Sequence, residues 1–156
     1  MEIISKSNFL EKKDFFINEM KKGKIFIYPT DTIYGIGCDA TNSKAVNKIR
    51  KIKRRDSKPF PIIAPSKNWI KDNCLISKEA QKWIDKLPGK YTLILKLKNK
   101  KCIDNNVNNN GETLGVRIPY NWFSKMVEEF GKPFITTSVN LAGKKPIKET
   151  GDLNQE

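Results

Sequence analysis

The fold is decided by residues 24–39, KIFIYPTDTIYGIGCD, where an apolar run passes into small, polar and turn-forming residues. Its first five residues are β-branched or aromatic apart from the lysine and predict a strand, which ends at Pro29 because proline has a fixed φ and no N–H. Thr30, Asp31 and Thr32 follow at the carboxyl end of that strand, the edge where open α/β sheets bind ligands. Two hydroxyls flanking a carboxylate can hold a small polar substrate or a hydrated metal ion, and a plain Asx or hydroxyl turn fits the spacing equally well.

Length and cysteine content indicate the class of protein. The 156 residues predict a single domain spanning residues 1–156, large enough to bury about two thirds of its unfolded surface. The three cysteines are far apart and form no C-x-x-C pair, so they predict reduced thiols in a cytoplasmic protein rather than a disulfide framework or a zinc site. Met1 is followed by no apolar leader, and no apolar run approaches the roughly 18 residues that span a bilayer, so no membrane partner is expected.

The chain has a large positive charge, and most of its cations are lysines. A net charge of +13 favours polyanions such as RNA and nucleotides, although the abundance of lysine and asparagine is also typical of a genome-wide compositional bias. Only four of the 30 basic residues are arginines, and three of those are Arg50, Arg54 and Arg55. A guanidinium fork binds carboxylate or phosphate in a bidentate way. The cluster therefore predicts an anion site, unless it only complements the negative end of a helix dipole.

The chain contains no histidine. This excludes Ser-His-Asp and Cys-His triads, histidine-ligated zinc and the usual general base near neutral pH. Any chemistry must therefore use cations, hydroxyls, carboxylates or a metal held by oxygen ligands.

The periodicity predicts helices alternating with strands. A helix capped by Asn8 is expected to end at Gly23, a second begins after Asn42 or Ser43, and Trp69 and Trp83 are expected to anchor the core. The second helix is expected to bury one face, formed by Ala45, Val46, Ile49 and Ile52. Further strands are expected at residues 59–64, 91–98, 114–119 and 132–137, with a mobile loop at 99–111. Successive strands from 91 to 119 predict an α/β domain on a mixed sheet.

Polar clusters lie at three predicted strand ends. They comprise residues 30–32, Arg117 and residues 138–140, with Lys53 and Arg55 leaving a helix. Together they can form a cationic groove for a triphosphate. Neither a P-loop nor a dinucleotide-binding fingerprint occurs in the sequence.

In their order and spacing these elements resemble the L-threonylcarbamoyladenylate synthase family, also called the TsaC or YrdC family. The match covers most of the chain. The resembling segments are Pro29 to Gly37, Lys53-Arg54-Arg55, Lys58-Pro59-Phe60, Leu87-Pro88-Gly89 with Tyr91-Thr92-Leu93, Gly115 to Pro119, and Ser138-Val139-Asn140-Leu141-Ala142-Gly143. The resemblance implies a single YrdC-like α/β domain, with a twisted mixed sheet, flanking helices and a basic concave groove.

The resemblance also implies an activity. The family makes threonylcarbamoyl-AMP and pyrophosphate from L-threonine, bicarbonate or CO2, and ATP with Mg²⁺, and no metal-ligating protein residue is expected. A downstream transferase uses the product to form threonylcarbamoyladenosine in tRNA. By resemblance the catalytic residues are Lys53, Arg55, Ser138 and Asn140, the same four with Lys58 and Thr113 bind ATP, and L-threonine is bound by Thr32, Arg117 and Thr136.

Two other functions remain open from the sequence. The first is a non-catalytic RNA-binding module that uses the same basic groove, because the charge is high. The second is a carbamoyl-transfer domain like that of hydrogenase maturation factors, although those chains carry C-x-x-C zinc motifs. The chain ends 16 residues after Asn140, where family members usually continue through another helix and strand, so the resemblance does not say how one wall of the groove is closed.

Overall fold

The helices and strands form an α/β arrangement. The structure, a computed structural model, describes residues 1–109, 111–140 and 145. Its helices in that part of the chain are α1 (Lys6–Glu11), α2 (Lys13–Lys21), α3 (Ser43–Lys53), α4 (Lys67–Asn73), α5 (Lys78–Asp85) and α6 (Trp122–Phe130). Its strands are β1 (Phe26–Tyr28), β2 (Gly35–Gly37), β3 (Ile62–Ile63), β4 (Leu93–Lys96), β5 (Thr113–Arg117), β6 (Phe134–Ile135) and β7 (Thr137–Ser138). None of these helices is long and apolar enough to cross a bilayer.

The strands form two sheets. The larger has the order β4-β5-β3-β6, with β3 parallel to β5 and the other neighbours antiparallel. This confirms the predicted α/β class with a mixed sheet. The smaller sheet, β1-β2-β7, is antiparallel and was not predicted. Residues 35–37 belong to the small, polar and turn-forming part of the opening stretch, but they form the central strand of this sheet because both β1 and β7 supply partners.

The two sheets are joined just after β2. The Ile135 N–H donates to the Cys38 carbonyl at 2.8 Å, and Asp39 forms a bridge with Phe134. The approach is so close that a Cβ on Gly37 would lie 1.7 Å from the Ile135 carbonyl oxygen. Glycine is therefore required there by the space that the neighbouring backbone occupies.

Two main clusters of buried side chains hold the elements together. One lies beneath the larger sheet and includes Val46, Ile49, Phe60, Ile62 and Leu114. The other packs α1, α2 and α6 against the strands through aromatic rings, including Phe9, Phe16, Tyr28, Phe123 and Phe134. Alternation along β5 gives one face to the core, where Leu114 and Val116 are buried. Thr113, Gly115 and Arg117 consequently share the opposite face.

The predicted cap of the second helix agrees with the structure, whereas that of the first does not. The predicted first helix is divided into α1 and α2 at Lys12, and its cap is Ser5, whose side chain accepts from the Asn8 N–H at 3.2 Å. The prediction of Asn8 as the cap was wrong because Ser5 offers the same local hydrogen bond one turn earlier. Asn42, one of the two predicted candidates, caps α3, which begins at Ser43.

Two predictions of burial were wrong. Ile52 is 44% exposed and Trp83 is 37% exposed, because both point away from the cluster beneath the larger sheet. The segment predicted as a mobile loop contains a short 3₁₀ turn at Lys100–Cys102, and Ile103, Val107 and Asn108 in it are buried. Its polar composition concealed the few apolar residues that fix it. Asn110 and residues 141–143 of the last matching segment lie outside the described residues.

Candidate active site

The first group of predicted site residues meets where α3 ends beside β7. Lys53 is only 5% exposed, and its Nζ donates to the Ser138 carbonyl at 2.6 Å and to Asn140 Oδ1 at 2.9 Å. It also donates to the Asn140 carbonyl, and the Ser138 hydroxyl hydrogen bonds to Asn140 Oδ1 at 2.5 Å. Pairing of Gly35 with Ser138 holds this end of β7 against β2. Three of the four predicted catalytic residues are therefore in direct contact, 85 to 87 residues apart in sequence.

Arg55 lies just beyond the end of α3. Arg54 adopts a left-handed conformation with φ 47°, which reverses the chain after the last helical turn. The Arg55 guanidinium donates to the Pro59 carbonyl at 2.8 Å and stacks over the Phe60 ring at 5.1 Å. Burial lowers the pKa of Arg55 from its ordinary value, but a guanidinium stays charged at neutral pH. Its Nε is buried without a hydrogen-bond partner, which is unfavourable for a cation.

Arg117, at the end of β5, forms an ion pair with Asp31. Its Nη2 lies 2.8 Å from Asp31 Oδ1, and the two side chains are 14% and 6% exposed. The other carboxylate oxygen accepts from the Tyr120 N–H at 3.0 Å. Asp31 thereby ties the loop after β1 to the end of β5. Arg117 Nε is also buried without a hydrogen-bond partner.

Tyr28 lies near Thr136 and Arg117, two of the predicted threonine-binding residues, and was not among the predicted site residues. Its hydroxyl donates to the Ile135 carbonyl at 3.1 Å. Burial raises the pKa of the Tyr28 phenol, against the lowering effects of Thr136 and of the Arg117 charge. The one sequence feature that could have selected Tyr28 is its position at the end of the predicted strand, next to Pro29 and Thr30. Thr136 is itself 4% exposed, so it lies behind the surface.

The other predicted residues lie on the surface around these groups. Thr32 is exposed, and its hydroxyl is 3.1 Å from that of Thr30, which also organises the turn by accepting from the N–H groups of Thr32 and Ile33. The turn and the ligand interpretations are thus both compatible with this geometry. Thr113 is exposed at the start of β5. Lys58 is exposed, and its carbonyl accepts from Arg50 at 3.1 Å.

The chemistry available here is electrostatic. Burial raises the pKa of the Cys38 thiol to about 12 and those of Cys74 and Cys102 to about 11, so none is a ready nucleophile at neutral pH. Within residues 1–109, 111–140 and 145, no cluster of three cysteines or carboxylates is placed to hold a metal. The arrangement offers cations and hydrogen-bond donors, which suit a phosphorylated ligand and a carboxylate.

Two surface grooves lie away from these residues. One, of about 470 Å³, is lined by α4 and α5 together with Lys98, and the other, of about 620 Å³, lies between α5 and β4. Neither shares a lining residue with the predicted site. The predicted site and these two grooves are therefore separate parts of the surface.

Comparison with known proteins shows the family to which the chain is related. The Sua5/YciO/YrdC family model, described as telomere recombination, matches residues 18–156. The chain belongs to that family. The membership inferred from the motifs is thus confirmed. A relative named putative threonylcarbamoyl-AMP synthase, from Methanocaldococcus jannaschii, is 38% identical over 146 residues, which make up 92% of this chain and 67% of the relative.

Solved structures share the fold. Sua5 from P. abyssi, solved as a complex with L-threonine, has a TM-score of 0.84 at 24% identity, over 99% of this chain and 45% of Sua5. A full-length HypF in a phosphate- and nucleotide-bound form has a TM-score of 0.81 at 24% identity, over 93% of this chain and 23% of HypF. The chain thus spans less than half the length of these two proteins. Their likeness shows a common fold only.

Proposed function

We propose that this chain is a threonylcarbamoyl-AMP synthase, a nucleotidyltransferase that joins L-threonine, bicarbonate and the adenylyl group of ATP. The observation that carries the proposal is the contact of Lys53 with Ser138 and Asn140, since it gathers predicted ATP-handling groups from distant segments. The name of the M. jannaschii relative and the L-threonine in the Sua5 complex support the choice of substrates.

The reaction begins with the amino group of threonine and bicarbonate, which condense to a carbamate with loss of water. A carbamate oxygen then attacks the α-phosphorus of ATP, the bond to the bridging oxygen breaks, and pyrophosphate leaves with the bonding electrons. Negative charge increases on the leaving group, and two fixed cations lower the energy of that state. Lys53 and Arg55 have this role in our proposal, and Ser138 and Asn140 orient the phosphates.

The amino-acid carboxylate binds at Arg117. Asp31 occupies one Nη of that guanidinium, which leaves donors on the rest of the fork for the substrate. Thr32 lies one residue beyond Asp31 and can hydrogen bond to a polar group of threonine. Thr136 acts through Tyr28, because its side chain is buried against that phenol.

Mg²⁺ fits this site as a companion of ATP. It prefers oxygen ligands and usually binds through substrate phosphates and water, with one or two protein groups. Asn140 Oδ1 already accepts from Lys53 Nζ and from the Ser138 hydroxyl, so in our proposal the phosphates and water supply the ligands of the ion and no protein ligand is assigned. When bound, the ion neutralises phosphate charge; Lys53 and Arg55 act on the same phosphates.

The direct test is incubation of the pure protein with ATP, Mg²⁺, bicarbonate and L-threonine, followed by mass detection of threonylcarbamoyl-AMP. Adenylate and pyrophosphate should appear only when both co-substrates are present. Serine should react less well, by the 1 to 3 kcal/mol or so that one methyl group contributes in a fitted pocket. ATP turnover at an equal rate without threonine and bicarbonate would contradict the proposal.

Binding to ATP can be tested separately from turnover. Ser138→Ala and Asn140→Ala should reduce the thermal stabilisation that ATP and Mg²⁺ give to the folded protein, which is about 2.7 kcal/mol when the ligand is at 100 times its Kd. Asn140→Ala should also lower the melting temperature without ligand, because it removes an acceptor of Lys53. An unchanged ATP shift in both variants removes them from the site.

The RNA-binding alternative predicts a different response to Arg55→Lys. This variant keeps the charge and loses the planar fork, so adenylate synthesis should fall while any salt-sensitive RNA binding stays nearly constant. The opposite pattern would favour the RNA-binding module. We further propose that the protein works in the cytoplasm and passes its product to a transferase that modifies tRNA.

A further inference from the structure

Arg50 is the third arginine of the cluster, and its hydrogen bonds join two loops. Its Nη1 donates to the carbonyls of Arg55 and Lys58, at 2.8 and 3.1 Å. Its Nε and Nη2 donate to the carbonyls of Asn106 and Val107, at 2.6 and 3.2 Å. One guanidinium thus binds four main-chain acceptors, two from the segment after α3 and two from the segment before β5.

The segment that Arg50 holds is the one that carries Arg55. Both guanidiniums lie over the same ring, that of Phe60, at 4.6 Å for Arg50 and 5.1 Å for Arg55. Phe60 is fully buried, and its N–H donates to the Val107 carbonyl at 3.0 Å. The position of Arg55 therefore depends on a buried ring and on main-chain carbonyls that Arg50 orients.

Two like charges over one ring repel each other. Burial lowers the pKa of Arg50, the charge of Arg55 lowers it further, and Asp56 acts in the opposite direction. Four carbonyl dipoles compensate the charge of Arg50, whereas Arg55 donates to the Pro59 carbonyl and keeps an unsatisfied Nε. An anion bound at Arg55 would relieve the repulsion, so this geometry favours phosphate at Arg55 and a main-chain role for Arg50.

We propose that Arg50 is a positioning residue for the nucleotide site: it fixes residues 55–58 against residues 106–107 so that Arg55 meets the phosphates of ATP. This inference rests on the proposed function. Lysine cannot replace Arg50, because its ammonium has three donors on a single nitrogen. The four carbonyls surround three different nitrogens of the planar guanidinium, and one ammonium cannot reach them all.

The test compares Arg50→Lys with Arg54→Lys, a matched exchange on an exposed neighbour that keeps the same charge. Calorimetry with ATP and Mg²⁺, and separately with L-threonine, gives the Kd of each ligand, and hydrogen exchange follows the amides of residues 55–60 and 103–109. Arg50→Lys should weaken ATP binding about tenfold, leave the Kd of L-threonine within about twofold and accelerate exchange in both segments. Arg54→Lys should change none of these.

Purely structural damage would weaken both ligands together, and that result, or unaltered ATP binding, would overturn the inference. If Arg50→Lys does not fold, exchange in the wild-type protein decides: ATP with Mg²⁺ should protect both segments, and protection of residues 55–60 alone would overturn the inference. These measurements need no turnover. A protein that binds ATP as described but makes no adenylate would contradict the proposed function and leave the role of Arg50 intact.

Discussion

At the scale of single residues, Gly37 has the least room for a side chain among the glycines that the structure describes. A Cβ there would lie 1.7 Å from the Ile135 carbonyl oxygen, which also accepts the Tyr28 hydroxyl. Backbone on both sides cannot move aside without separating the sheets. We expect Gly37→Ala to lower the free energy of unfolding by about 3 kcal/mol, since forced overpacking typically costs 1 to 3 and sometimes more.

Denaturant unfolding followed by circular dichroism measures this loss. Gly89→Ala is the matched control, because its new Cβ would meet the Tyr91 ring at 3.1 Å and the Lys86 carbonyl oxygen at an ordinary 3.5 Å, and the Tyr91 side chain is 42% exposed and can shift. It should cost less than about 1 kcal/mol. Equal effects of the two substitutions would show that the contact between Gly37 and Ile135 is not what restricts this site.

At the scale of elements, the end of α3 sets the direction in which Arg55 leaves the helix. The N–H groups of Arg54 and Arg55 donate to the carbonyls of Lys51 and Arg50, both at 3.2 Å, in the pattern of a Schellman motif. Such motifs usually place glycine where this chain has Arg54 at φ 47°. We expect Arg54→Gly to raise stability by about 0.5 to 1 kcal/mol, because it removes the crowding of Cβ in the left-handed conformation.

Thermal unfolding should show a rise of about 2 to 4 °C per kcal/mol for a domain of this size. Arg54→Lys serves as the control, since it retains the Cβ and the charge and should leave the melting temperature unchanged. A gain of stability in both variants would attribute the effect to the guanidinium and not to the backbone.

At the scale of the whole molecule, the dominant property is the net charge of +13. An excess of one sign destabilises a compact state through self-repulsion, and salt screens it: the Debye length is about 30 Å at 0.01 M and 8 Å at 0.15 M. We expect the melting temperature to rise as sodium chloride increases across this range. Scanning calorimetry at several salt concentrations measures the slope.

The double variant Lys44→Gln, Lys48→Gln is the control for that experiment. Both lysines are exposed on α3, and Lys44 lies in its first turn, where a cation opposes the helix dipole. The variant should melt at a higher temperature in low salt and depend less steeply on salt. An identical slope would mean that repulsion between lysines does not limit stability.

The sequence alone determined the features whose causes are local. Strand β1 ends before Pro29, and the helix caps Asn42, Ser66 and Asn121 each accept from an N–H two or three residues ahead, so neighbours in sequence are enough to predict them. The motifs also identified the family. The order and spacing of the motifs are enough to identify the family, because neither depends on which segments are in contact.

Only the tertiary structure decided which groups meet. Gly35–Gly37 is a strand because β7, a hundred residues later, pairs with it, and no local pattern specifies that partner. Lys53 is buried because the carbonyls of Ser138 and Asn140 surround its ammonium, whereas in the sequence it is one of many lysines. The three clustered arginines likewise differ because of their tertiary surroundings. Arg50 donates to four carbonyls, Arg54 is exposed at the turn after α3, and Arg55 has a buried Nε without an acceptor. From the sequence, the three arginines are equivalent cations. Their different roles follow from the number of carbonyl acceptors that the folded chain places around each guanidinium.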